Sequence, residues 1–179
     1  MSSKKIVKNS IFYTIGSILP QAAGFILLPI YTTYLDPEQY GIVNSMTVLA
    51  GVIGIILTLG IDKGIYRLYY DYKVEERKVY LGTIIIGLTS FSIFFILIAL
   101  SIPQLLSGIY KSIPFYPYYL LMLLFTLFSK VITVPGIYLR IIEQAGKFVS
   151  LSISTFLLTA FFNLLFIIHY KEGAVGMLK

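Results

Sequence analysis

Long uninterrupted apolar runs, separated by short polar connections, dominate the pattern of this 179-residue chain. Five of the runs are long enough to cross a hydrocarbon core as helices, which takes about 20 residues. They are continuous rather than alternating and about twice as long as a barrel strand, which argues against strands. We predict an all-α, polytopic membrane helix bundle with approximate spans at 11–34, 41–61, 80–102, 117–139 and 148–170.

The first apolar run follows Lys4, Lys5 and Lys8, as the apolar region of a signal peptide would. Its length of about 24 residues exceeds the usual ~7–15 of a signal peptide, so we predict a retained helix. Pro20 and Pro29 lie inside this helix and predict a kink, because proline removes a backbone donor.

Composition identifies the solvent of the chain. Hydrophobic residues make up 58% and charged residues 12%, against roughly 45–50% and 25% in soluble domains. The bilayer is therefore the expected solvent, and membrane lipids are expected partners. The chain contains no cysteine, which excludes disulfides and cysteine metal sites.

The basic residues predict the orientation. Most of the 14 lysine and arginine residues lie in the N-terminal segment and in the second and fourth connections, whereas the first connection, "LDPEQYG", is acidic. Positive residues stay cytoplasmic, so we predict a cytoplasmic N-terminus and one transmembrane domain, residues 1–179, in the cytoplasmic membrane. The net charge of +6 then reflects topology and not nucleic-acid binding. Residues 63–78 mix both signs and predict a short amphipathic helix along the headgroups.

Lys130 is the one basic residue inside a predicted span. It lies about 20 Å from the outer end and about 14 Å from the inner end of span 117–139, at 1.5 Å per residue. A lysine side chain of roughly 6 Å cannot reach either surface from there. A charge near the centre of the bilayer costs roughly 2.5–3.5 kcal/mol, so Lys130 is expected to face protein or water.

Polar side chains form stripes on three of the predicted helices. On span 117–139, a helical wheel places Thr126, Lys130 and Thr133 within an arc of about 100°, together with Arg140 just beyond the span. The other two stripes are Ser10, Thr14, Ser17 and Gln21 on the first span, and Ser152, Thr155, Thr159 and Asn163 on the fifth. Such stripes can be interhelical hydrogen-bond contacts or the lining of a wet cavity. With no acidic residue inside any span to pair with Lys130, we favour the cavity.

Catalytic motifs are missing from the sequence. There is no P-loop, no HExxH, no nucleophile elbow and no carboxylate cluster inside a span, and the single histidine, His169, lies at the edge of the fifth span. We therefore expect no enzymatic activity, no cofactor and no metal site. A transporter, a channel or a structural membrane subunit remains.

Three segments resemble the Wzx-type polysaccharide-biosynthesis flippases of the multidrug/oligosaccharidyl-lipid/polysaccharide exporter superfamily. The first is "KNSIFYTIGSILPQAAGFILLPIYTTYLDPEQYGIVN", which is similar to the first helix and hairpin of that family. "LGIDKGIYRLYY" is similar to the end of its second helix and places Arg67 at the arginine position. "LRIIEQAGK" resembles the turn between its fourth and fifth helices, with Arg140 at the basic position, and "EGAVGMLK" resembles the run into a sixth helix.

This resemblance implies a transporter that moves an undecaprenyl-pyrophosphate-linked oligosaccharide to the outer leaflet by alternating access. Such proteins have about 12–14 helices in two lobes around a cationic cavity, so the chain is expected to be an incomplete transporter lobe that needs a C-terminal half or polysaccharide-assembly proteins. Lys130 would be the interior counter-charge, and Arg67 and Arg140 would collect the phosphate headgroup at the inner mouth. The polar residues expected beside them are Gln21, Thr126, Thr133 and Asn163.

Two alternatives stay open. A drug or cation exporter of the same superfamily would use interior carboxylates, which these spans lack but a missing half could supply. A small membrane subunit that scaffolds other proteins would use the polar stripes as contact faces. Unchanged export of lipid-linked sugar after deletion of the gene would favour the second alternative.

Overall fold

A computed structural model describes the backbone of residues 3–58 and 60–178, with all of their side chains except those of residues 3–6, 23 and 62. Within these ranges the chain forms eight α-helices, two short π-helical segments and no strand. The α-helices are α1 Ser3–Tyr34, α2 Pro37–Thr58, α3 Ile61–Leu68, α4 Arg77–Ser101, α5 Pro103–Ser107, α6 Leu120–Ile141, α7 Ala145–Leu164 and α8 Ala174–Leu178. The π-helical segments, Phe115–Tyr119 and Leu165–His169, precede α6 and follow α7.

Five helical stretches among the described residues are long and apolar enough to cross a membrane. They are Val7–Tyr34, Pro37–Leu68, Arg77–Ser101, Phe115–Ile141 and Ala145–His169. The prediction of an all-α protein with five membrane spans is therefore confirmed. The short helix α8 falls within the segment that resembles the run into a sixth helix.

The first connection shows why the helices begin and end where they do. Asp36 precedes α2 and accepts a hydrogen bond from the backbone N–H of Gln39 at 2.7 Å, as an N-cap residue does. Pro37 opens α2, at a position where its missing N–H costs nothing. α1 itself runs through Pro20 and Pro29 without a break in the helix. The sequence D-P-E therefore starts the second membrane helix after a connection of only two residues, Leu35 and Asp36.

The described chain divides into two compact units. The first unit combines Met1–Tyr40 with Tyr138–Met177, and α1 packs against α7 inside it. Its apolar core consists of Leu27, Tyr31, Leu35 and Ile167. The second unit is Gly41–Ile137 together with Leu178. Its core comes from α2, α4, α5 and α6 and the segment before α6, and the most completely buried side chains there are Met46, Leu57, Tyr119, Met122 and Leu123.

The connection that carries most basic residues begins with α3. This helix buries Ile65 and exposes Lys63 and Arg67 on other faces, so it is amphipathic, as predicted. It ends at Leu68 and is therefore shorter than the predicted segment 63–78. Turns follow, and Arg77 contacts them, since its Nε donates to the carbonyl oxygen of Tyr72 at 3.2 Å. Its guanidinium lies over the ring of Tyr69 at 4.9 Å from the centroid.

Candidate functional site

Lys130 lies deep in the fourth membrane-spanning stretch, 15 residues after Phe115 and 11 before Ile141. At 1.5 Å per residue these separations are about 22 Å and about 16 Å along the helix. The side chain is half-buried. No hydrogen bond or ion pair from a described side chain or backbone group satisfies its ammonium, so the charge is not neutralised within the described part of the protein.

The side chain of Lys130 rests against α2, in the second unit. A Cβ atom built on Gly54 would lie 2.6 Å from Cε and 2.8 Å from Nζ of Lys130, and 3.8 Å from Cγ2 of Thr126. Both distances to Lys130 are shorter than the van der Waals separation of about 3.5–4.0 Å between atoms that are not bonded to each other. The lysine therefore occupies space that α2 leaves open by carrying glycine at this position.

Two hydroxyls share the helix that carries Lys130. The hydroxyl of Thr126 is buried and donates to the carbonyl oxygen of Met122 at 2.7 Å. That of Thr133 is exposed and donates to the carbonyl oxygen of Ser129 at 2.8 Å. Because each proton is used inside α6, the oxygen of each hydroxyl remains as an acceptor. Thr133 can therefore accept a hydrogen bond from a cation or from a sugar hydroxyl, whereas Thr126, which is only 2% exposed, is closed to a ligand in this structure.

Arg140 belongs to the first unit and joins two of its helices. Its Nη2 donates to Oγ of Ser17 on α1 at 3.2 Å, and its guanidinium lies 4.2 Å from the ring centroid of Phe148 on α7. The buried Nε has no hydrogen-bond partner among the described residues. The arginine thus uses one donor and one face for packing, and keeps other donors unused.

The two candidate amides also lie in the first unit. Gln21 is exposed on α1 and its Nε2 donates to the carbonyl oxygen of Ser17 at 3.3 Å. Asn163 is half-buried near the end of α7, and its Nδ2 donates to the carbonyl oxygen of Thr159 at 2.8 Å. The buried Oδ1 of Asn163 has no partner among the described residues. Asn163 therefore presents an acceptor that nothing in this part of the protein uses.

Arg67 stands apart from the other candidates. It is exposed in the last turn of α3, where a cation complements the partial negative charge of a helix C-terminus. The seven candidates thus separate by unit, with Lys130, Thr126, Thr133 and Arg67 in the second and Arg140, Gln21 and Asn163 in the first. Sequence reasoning missed Gly54 and Phe148, which contact the two cations.

An open cleft of about 510 Å³ lies in the first unit, next to the beginning of α7. Its lining comes from the first part of α1, the turn before α7 and the first residues of α7: Lys8, Asn9, Phe12, Glu143, Gln144, Ala145, Gly146 and Lys147. None of the seven candidate residues lines this cleft. Among the described residues, no group of three His, Cys, Asp or Glu side chains is arranged to hold a metal ion.

The long apolar helices and the cation within one of them define a multi-pass membrane protein. Comparison with family models matches residues 6–178 to the family described as polysaccharide biosynthesis protein. The chain belongs to this family, whose members are transporters rather than enzymes. No curated protein and no solved structure matched the chain.

Proposed function

We propose that this protein translocates a lipid-linked oligosaccharide across the cytoplasmic membrane, with undecaprenyl pyrophosphate as the lipid carrier. Membership in the polysaccharide-biosynthesis family supports the substrate class, and the five apolar helices support a membrane location. In this proposal the sugar and pyrophosphate pass through a polar interior while the isoprenoid tail stays in lipid.

The observation that carries the proposal is the ammonium of Lys130 in the middle of a membrane helix, where no described side chain or backbone group neutralises it. An uncompensated charge there costs roughly 2.5–3.5 kcal/mol on insertion scales, so it is retained where function requires it. An anion that passes at about 4 Å gains roughly 4 kcal/mol from this charge at an effective dielectric constant of ~20. A pyrophosphate is such an anion, and Lys130 lowers the barrier to its passage.

The other candidates have supporting roles. In the second unit, the exposed Thr133 offers an acceptor oxygen to the headgroup, whereas the buried Thr126 is closed to it. In the first unit, Asn163 and Gln21 offer amide groups to sugar hydroxyls. Arg67 meets the phosphate at the inner membrane surface, because a guanidinium grips phosphate with two parallel donors. Arg140 offers the donors that its contact with Ser17 leaves unused.

The test is complementation of a host strain that lacks the gene, with the protein produced as it is encoded. Surface polysaccharide and the leaflet distribution of the lipid-linked oligosaccharide are measured for Lys130→Ala, Lys130→Arg and the control Lys111→Ala. Lys111 is an exposed cation outside the spans. We expect Lys130→Ala to lower export at least tenfold, which corresponds to a barrier increase of about 1.4 kcal/mol. Lys130→Arg retains part of the export, and Lys111→Ala retains all of it.

Wild-type export by Lys130→Ala, at equal amounts of protein in the membrane, would remove Lys130 from the mechanism. Unchanged export in the deletion strain would contradict the flippase proposal as a whole. That second result would favour a scaffold protein instead, and a large membrane partner that co-purifies would strengthen it.

A further inference from the structure

The backbone conformation at position 54 does not require glycine, yet the residue there is Gly54. It is buried within α2, where the conformation is that of an ordinary α-helix. Glycine in a helix interior is less favourable than alanine by about 1 kcal/mol. The reason for glycine at this position must therefore be space, and the atoms that fill this space are Cε and Nζ of Lys130.

The contact determines where the ammonium can lie. Ordinary van der Waals separation is about 3.5–4.0 Å, so a methyl group at position 54 would push Cε, at 2.6 Å, away by about 1 Å. A lysine side chain is long and flexible, and it loses roughly 1.5–2 kcal/mol of conformational entropy when it is held in one place. Because position 54 has no side chain, the side chain of Lys130 can lie directly across the backbone of α2. The contact with this backbone limits the conformational freedom of the lysine.

We propose that Gly54 is a positioning residue for the Lys130 ammonium, and that the absence of a side chain there seats this charge against α2. The inference rests on the proposed function, in which Lys130 is the counter-charge for a pyrophosphate. An alanine at position 54 turns the ammonium away from its seat and moves it relative to the passing anion. Gly54 touches no substrate itself and acts through Lys130.

The same helix supplies a matched control. Gly51 lies three residues before Gly54 in α2, is exposed, and has no atom within 4 Å of the position that its Cβ would take. Gly51→Ala therefore makes the same change in helix propensity without the steric conflict. The part of the difference between Gly54→Ala and Gly51→Ala that disappears when Lys130 is truncated isolates the contact with Lys130.

The first measurement concerns the contact alone and does not depend on transport. Thermal unfolding of the purified protein is compared for Gly54→Ala, Gly51→Ala, Lys130→Ala and the double variant Gly54→Ala/Lys130→Ala. The atoms that must move are Cε and Nζ of Lys130, the far end of a flexible side chain, so we expect Gly54→Ala to unfold no more than about 3 °C below Gly51→Ala. Once Lys130 is truncated, this difference should vanish. A larger Tm loss that persists without the lysine side chain would show that other atoms fill the space, and it would overturn the proposal.

The second measurement asks whether translocation depends on the position of the ammonium, in addition to the space at position 54. In the Lys130→Cys variant the thiol is unique within this chain, which has no cysteine of its own. Reaction of the purified protein with 2-bromoethylamine gives a side chain of lysine length with an ammonium, and 2-bromoethanol gives a neutral one of the same length. After reconstitution, we expect the amine to restore at least a third of the wild-type translocation when position 54 is glycine. It should restore less than a tenth when position 54 is alanine, and the neutral adduct should restore none in either background.

These outcomes separate the two proposals. Equal restoration by the amine with glycine and with alanine at position 54 overturns the positioning role of Gly54 and leaves the role of Lys130 intact. Equal restoration by the neutral adduct and the amine overturns the counter-charge role of Lys130 instead. In that case the steric contact measured by thermal unfolding would still stand.

Discussion

Arg140→Ala tests whether this arginine holds the first unit together. Its hydrogen bond to Ser17 spans 3.2 Å, and hydrogen bonds between membrane helices contribute ~0.6–2 kcal/mol. Its guanidinium lies 4.2 Å from the ring centroid of Phe148, and such a cation–π contact contributes from ~0.5–1 kcal/mol when exposed to ~2 kcal/mol when desolvated. Together the two contacts stabilise the packing of α1 and α7 against the last turn of α6, which belongs to the first unit.

An opposing term comes from the same side chain. The buried Nε has no hydrogen-bond partner among the described residues, and an unsatisfied buried donor costs about 1–3 kcal/mol. Truncation to alanine removes this cost along with the two contacts. We therefore expect Arg140→Ala to lower the free energy of unfolding by about 1–2 kcal/mol, less than the sum of the two contacts.

The assay is reversible unfolding of the purified protein in detergent micelles, with Ser17→Ala as the second member of a double-mutant cycle. The two substitutions should be coupled by roughly 0.5–1.5 kcal/mol, because each removes the same hydrogen bond. Arg67→Ala is the matched control, since this exposed arginine makes no such contacts with described residues and should change stability by no more than about 0.5 kcal/mol. If Arg140→Ala is as neutral as Arg67→Ala, the packing role is refuted. Loss of substrate binding at unchanged stability would then identify Arg140 as a headgroup ligand.

The remaining predictions concern packing and topology. Gly16→Ala should destabilise the first unit by about 1 kcal/mol, because overpacking outweighs the gain in helix propensity: its Cβ would lie 2.7 Å from the ring of Phe148. Gly24→Ala, with no atom within 4 Å, should be neutral or stabilising by comparison, and equal stability of the two variants would contradict this reasoning. For topology, a membrane-impermeant maleimide should label Ser112→Cys in intact cells but Glu75→Cys only after permeabilisation, and the reverse pattern would invert the predicted orientation.

The membrane spans could be predicted from the sequence because the bilayer imposes a length on them. Each predicted span lies within or close to an observed helical stretch, but the helices extend further at several ends. α4 begins at Arg77 although its apolar run was predicted from residue 80. The reason is physical: hydropathy reports how much of a segment prefers lipid, whereas helical hydrogen bonds continue into the polar residues beside it.

The partners of the two cations could not be predicted in the same way. The chain contains 14 glycines, and small residues in membrane helices often mark close packing. A Cβ added at Gly16 or Gly54 would lie within 3 Å of a neighbouring side chain. A Cβ added at Gly24 or Gly51, on the same two helices, would have no atom within 4 Å. Which glycine matters depends on how helices face each other, and one sequence without an alignment carries no information about these pairings.

Lys130 and Arg140 occupy the same helix, yet their surroundings suit different tasks. Arg140 has the planar fork that allows one group to donate to Ser17 and to stack on Phe148 at once. Lys130 carries a compact charge on a flexible chain, lies against bare backbone at Gly54, and has no anionic partner among the described side chains. A group that must bind a passing anion and release it benefits from having no competing partner. Under the proposed function, the lysine is therefore the better counter-charge. Lys130→Arg is not a conservative substitution, because an arginine side chain is bulkier than the lysine that fills the gap at Gly54.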